Sequence, residues 1–167
     1  GDQLPSSDAG AVVALAERLE LLLSIFAKGE RPSGSSDPYA LRRAGNGLLQ
    51  IVWDRGWRLD LSRFLGSAVD DWTALFPEFA IDSSALHKDL CQLLRQRIVS
   101  QLEDEGFAPD LVQAVSAESV ATERLLADPM DVRERLDLLN ALRQSKALPA
   151  LICLLYTSPS PRDNSGS

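Results

Sequence analysis

Apolar residues recur at three- and four-residue spacing through almost the whole chain, and no stretch alternates apolar with polar as a half-buried strand would. That periodicity sets one apolar stripe on each segment and predicts an all-α fold, since a helix returns to the same face every 3.6 residues. The first such stripe runs Val12, Leu15, Ala16, Leu19, Leu22, Leu23, Phe26 and predicts an amphipathic helix from Asp8 to Lys28. Asp8 is its expected cap, and Gly29 stands where a left-handed terminus belongs.

Pro32, Gly34, Ser35 and Ser36 spell a turn, after which Asp37-Pro38 reads as a capping side chain followed by proline in the first helical turn. The second helix is expected to reach Arg55, with Leu41, Gly45, Leu48, Leu49 and Val52 inward and Arg43, Asn46, Gln50 and Asp54 outward. Gly45 and Gly47 each cost such a helix up to about 1 kcal/mol, a cost expected where another backbone comes close. Gly56 closes the helix, and Asp60 or Ser62 caps a third one that ends before Pro77. A long fourth helix carries Leu86, Leu90, Leu93, Leu94, Ile98 and Leu102. Shorter ones follow from Pro109, through Leu125-Leu126, and from Asp128-Pro129. The expected architecture is an irregular helical bundle that can divide into two sub-bundles near Pro77 to Ser83.

The tail differs in origin. Cys153 to Asp163, CLLYTSPSPRD, resembles one reading frame of a transposase-end adapter used in sequencing libraries. Residues 153 to 167 are therefore set aside from fold reasoning, like a fusion scar. Composition alone would read them as a flexible Pro/Ser-rich tail.

Charge restricts the partners. With 24 acidic and 17 basic residues the net charge is −7, whereas free-standing nucleic-acid binders are more often basic. RNA contact then requires a local basic patch. No apolar run reaches the roughly 18 residues that span a bilayer, so no membrane partner is expected. Two cysteines without metal-type spacing suit a reducing compartment. The start lacks both Met and a basic signal, as in a segment excised from a longer protein.

No catalytic set is legible. His87 is the sole histidine and reads as a helix boundary residue. Cys91 lies one turn on, where a buried apolar role outweighs a Cys-His nucleophile pair. No phosphate-cradling loop occurs, and Asp70-Asp71 and Glu103-Asp104-Glu105 read as solvated helix ends. The candidate site is Arg42 and Arg43, which can grip RNA phosphates with Arg55, Arg58 and Arg63 extending the patch. Alternatively they pair with Asp37 or Asp60 and fix the loop. Trp53, Trp57 and Trp72 can stack on bases or anchor the core.

Three stretches resemble a known family: GDQLPS at the start, ALAERLELLLSIFAKGERPSGSSDPYALRRAGNGLLQIV, and WRLDLSRFL. Together they resemble the beta subunit of the bacterial heterotetrameric glycyl-tRNA synthetase. Pro32-Ser33-Gly34-Ser35, Asp37-Pro38-Tyr39 and Leu41-Arg42-Arg43 follow the family's signature, with Ser for Thr and Tyr for Phe. An acidic helix motif of the family is altered at Ala16-Glu17-Arg18-Leu19-Glu20, so no ligand role is placed there.

The resemblance implies a cytoplasmic, tRNA-binding piece of a ligase that uses ATP to attach glycine to tRNA(Gly), in partnership with the alpha subunit that holds the aminoacylation centre. It implies no catalytic residue, metal or bound cofactor in this piece, with ATP used by the whole enzyme. Residues 1–76 then form a helical region bearing the signature, and 77–152 one leading towards a truncated anticodon-binding domain. The competing class is a non-enzymatic helical protein-interaction module, and a third is an independent RNA-binding protein.

Overall fold

A computed structural model of the protein describes residues 6–37 and 39–157. Among them are eight α-helices, one 3-10 turn and no β-strand, as the periodicity predicts. Helix α1 spans Asp8–Ala27, and its cap is Ser7 rather than Asp8: the Ser7 hydroxyl accepts from the Gly10 amide at 3.1 Å. Gly29 follows with φ of +85°, the left-handed exit expected there.

Helix α2 is Leu41–Arg55, and Gly56 ends it at φ +63°. It begins later than the Asp37-Pro38 signal suggests, and Pro38 lies outside the described residues. Asp37 still caps the helix, reaching it from a distance. Its two carboxylate oxygens accept from the amides of Leu41 at 2.8 Å and Arg42 at 2.9 Å. The chain enters through Ala40 in the left-handed region, φ 54°, a strained position for a residue with a Cβ.

Helix α3, Leu61–Leu75, is capped by Asp60 through the Arg63 amide, while Ser62 is buried. A 3-10 turn at Pro77–Phe79 leads to α4, Ser83–Asp104, which Asp82 caps. The short helices α5, Pro109–Ser116, and α6, Thr122–Ala127, precede α7, Pro129–Gln144, whose amide at Asp131 is capped by Asp128. The last helix, α8, covers Ala147–Thr157 and so runs into the adapter-like stretch, with Leu151 to Tyr156 exposed.

Helix α2 sits at the centre because it is apolar on more than one face. Leu41, Leu48, Leu49, Ile51 and Val52 are all essentially inaccessible, and α2 packs against α1, α4 and α7. One continuous core runs from Ala11 on α1 to Leu136 on α7. Trp53 ties α2 to α7: its indole Nε1–H donates to the Pro129 carbonyl at 3.0 Å. Trp53 is thus a core anchor, the second of the two roles open from sequence.

Arg95 holds the α5–α6 connection. Its guanidinium donates to the carbonyls of Ser116, Ala117 and Val120 and to Thr122 Oγ1. Beyond the Val120 amide's own bond to the Ala117 carbonyl at 2.8 Å, the loop carbonyls are thereby satisfied by one side chain from α4.

Because Leu48 is fully enclosed at the meeting of these helices, Leu48→Ala is expected to destabilise the fold by about 2–5 kcal/mol. Leu138→Ala, at a position 60% exposed, should stay within about 0.5 kcal/mol. Urea unfolding midpoints of the two variants check the contrast.

Candidate nucleic-acid interface

The turn before α2 places the two predicted arginines. Ser33 and Ser36 exchange backbone hydrogen bonds at 3.0 and 2.8 Å, with Gly34 between them at φ 52°. Arg42 reaches back and donates from Nη2 to the Gly34 carbonyl at 2.7 Å. Asp37 reaches forward to the helix amides, so it is not an ion-pair partner of either arginine. Asp60 is likewise engaged at its own helix start. Of the two roles open from sequence, pairing with these acids is not what the side chains do. Arg42 fixes the loop through a carbonyl, and Arg43 is exposed and makes no ion pair among the described residues.

Two further arginines frame the same face, brought in from other helices. Gly45 is buried, and a Cβ there would stand 3.1 Å from Cγ of Arg97 on α4. Gly47 is covered by Arg18 of α1, whose Nε and Cδ would clash with an added Cβ. The glycines therefore make room for arginine side chains, where the sequence suggested a neighbouring backbone. Arg97 borders Arg42 on one edge of α2, and Arg18 borders the Arg43 edge one turn on. Asn46 lies between the edges. Gln50, the next residue on the Asn46 side, bonds Gln101 of α4 at 2.5 Å.

Electrostatically the face is uncompensated. Arg18 donates to the Ala14 carbonyl at 3.1 Å and to no acid, and Arg97 Nε is buried without a hydrogen-bond partner. Burial, and after it the charge of Arg42, lowers the Arg97 pKa below the ordinary arginine value. Several arginines elsewhere are matched: Arg31 with Asp89, Arg133 with Glu105, Arg143 with Asp110, and Arg58 with both Asp128 and Glu134. Arg55 pairs with Asp8, so neither it nor Arg58 extends the patch. Arg63 lies exposed at the start of α3.

A second feature is an apolar groove of about 600 Å³ on the other side of α1, lined by Leu15, Leu19, Leu23, Trp57, Phe64 and Trp72, with Val12 and Ala16 at its edge. Val12, which periodicity assigns to the core, is 56% exposed there. Trp72 continues the apolar surface onto Phe76 and Phe79, with ring centroids 4.8 and 5.5 Å away.

The Cys-His pair has contact but the wrong protonation for nucleophilic work. His87 Nε2 lies 2.7 Å from the Ser62 carbonyl, which only accepts, so that nitrogen carries the proton. It stands 3.3 Å from Cys91 Sγ yet has no lone pair left to take the thiol's proton. Burial pushes the Cys91 thiol up to about 11 from an ordinary 9.0. Among the described residues no cluster of three or more His, Cys, Asp or Glu could hold a metal ion.

Because the folded thiol keeps its proton more tightly than the unfolded one, Cys91 favours the folded state fully below pH 9. That contribution is lost as pH rises towards 11. Iodoacetamide at pH 8 is expected to label exposed Cys153 and to reach buried Cys91 only after denaturation. Mass spectrometry of the digested protein reads the sites directly.

Residues 1–117 match the family described as glycyl-tRNA synthetase beta subunit. The glycine–tRNA ligase beta subunit of Picosynechococcus sp. is 40% identical over 159 residues, covering 94% of this chain and 22% of that protein. That of Trichodesmium erythraeum is 40% identical over 151 residues, 89% of this chain and 21% of its own length. That of Aliivibrio salmonicida is 35% identical over 151 residues, at 90% and 20%. The chain thus spans about a fifth of the length of these curated relatives. With the signature turn, the arginine pair and the helix behind them in place, the chain belongs to the glycyl-tRNA synthetase beta subunit family.

Proposed function

We propose that this chain is a segment of a tRNA-binding beta subunit that serves the ATP-dependent attachment of glycine to tRNA(Gly) in the cytoplasm, with the chemistry performed together with the alpha subunit. The observation that carries the reading is the uncompensated arginine face of α2 on a chain of net charge −7. Guanidinium groups left without carboxylates are suited to phosphate oxygens, which they bind in a planar, two-pronged geometry. Arg42 and Arg43 are the tRNA contacts in this reading, and the segment itself contributes binding and not catalysis.

One observation favours protein docking as well. The apolar groove beside α1 is too large and too continuous with the Trp72, Phe76 and Phe79 surface to be an incidental patch. Its occupant in this reading is the remaining length of the same subunit, since relatives are about five times as long as the matched segment. Glu20 lines the groove and Asp71 lies exposed beside Trp72, which suits an amphipathic helix with basic edges.

In the complete subunit, replacing both Arg42 and Arg43 with Ala is expected to weaken tRNA(Gly) binding and to flatten its salt dependence by about one unit of slope per lost phosphate contact. Unchanged affinity and slope in a KCl titration would remove the contact role. For the groove, Val12→Arg with Ala16→Arg in the complete subunit should lower its unfolding midpoint. If the midpoint holds and association with the alpha subunit is lost, the groove belongs to that partner instead.

A further inference from the structure

The outer face of α2 holds a more specific arrangement than two adjacent arginines. Arg97 arrives from α4 with its aliphatic stem laid against Gly45. Its Nε is buried without a hydrogen-bond partner, and no carboxylate pairs with its guanidinium among the described residues. The acids nearest in effect are Asp104 and Asp37. Asp37 has both oxygens committed to the Leu41 and Arg42 amides, and Asp104 makes no ion pair with Arg97 among the described residues. Beside it stands Arg42, held by the Gly34 carbonyl at 2.7 Å. Two like charges are thus kept together by packing and by a backbone bond, with neither guanidinium in an ion pair among the described residues.

The geometry points to Arg42 and Arg97 forming one seat for a backbone phosphate of an RNA strand. Arg43 and the Arg18 side chain that crosses Gly47 border a second on the other side of Asn46. A phosphodiester offers two unesterified oxygens, one to each guanidinium, and its charge offsets the repulsion between the two cations. Both stems are already immobilised, so little side-chain freedom remains to be lost on binding. Gly45 and Gly47 acquire a common purpose, because a Cβ at either would push an arginine away from this face. The inference rests on the reading that this face meets tRNA, and it adds Arg97 as a contact that lies far from the signature in sequence.

The test uses the complete beta subunit assembled with its alpha partner and compares Arg97→Met, Arg97→Lys and the double variant Arg42→Ala with Arg43→Ala. Methionine keeps an unbranched stem against Gly45 and removes the charge, so the thermal midpoint should hold or rise. Affinity for tRNA(Gly) should fall about ten- to a hundredfold, and the slope of log affinity against log salt should shrink by about one. Lysine, a point charge without the planar fork, should fall between. If the Arg42/Arg43 variant weakens tRNA binding while Arg97→Met leaves affinity and slope unchanged, the seat is overturned and the broader reading stands. If neither variant changes tRNA binding, the reading itself fails. Loss of alpha-subunit association in Arg97→Met with tRNA affinity intact would overturn the seat by assigning the face to a protein contact.

Discussion

The carboxylate of Asp37 is the point on which both the fold and the candidate site turn. It accepts from two successive amides at the head of α2, the helix that every larger element packs around. Hydrogen bonds that amides donate to a carboxylate contribute about 1.5–3 kcal/mol each, enough to offset the left-handed backbone at Ala40, which costs about 1–2 kcal/mol. Arg42 braces the same turn from the opposite direction by donating to Gly34. The acid at the turn holds the helix and the arginine on the helix holds the turn, so the arginine face is aimed by the device that starts the helix.

Around that centre the surface ion pairs act as locators more than as sources of stability. Arg58, Arg133 and Arg143 each join α7 or its cap to another part of the chain, yet exposed pairs contribute only about 0–1 kcal/mol apiece. Arg133 also stacks its guanidinium 5.2 Å from the Trp53 ring, over the indole that bonds Pro129. The energetic weight lies in the enclosed leucines of α2, α3 and α4 and in the Arg95 bonds that satisfy the α5–α6 loop.

Local signals wrote most of the fold. Gly29, Gly56 and Gly106 end their helices in left-handed geometry, and Asp60, Asp82 and Asp128 cap theirs, because those choices depend on a few neighbouring residues. Where a partner comes from elsewhere in the chain, sequence falls short. Asp37-Pro38 signals a helix start, yet the carboxylate reaches over four and five residues, and α2 begins at Leu41. Val12 keeps the period of a core residue, but periodicity cannot say whether the stripe is covered, and here it borders an open groove. Arg42 and Arg43 were legible as a doublet, whereas Arg18 and Arg97 join them only through the packing of α1 and α4 on α2. The one trace of those two in the sequence was the pair of glycines, whose cost signalled a close approach without saying by what.

The three tryptophans divide the molecule in a way that light can follow. Trp53 is enclosed, bonded through its indole nitrogen and faced by a guanidinium, so its emission reports the joint between α2 and α7. Trp57 and Trp72 stand half-buried in the walls of the groove, where emission colour follows the wetness of that surface. One spectrum therefore carries two signals, an inner one tied to the integrity of the bundle and an outer one tied to whatever covers α1 and α3.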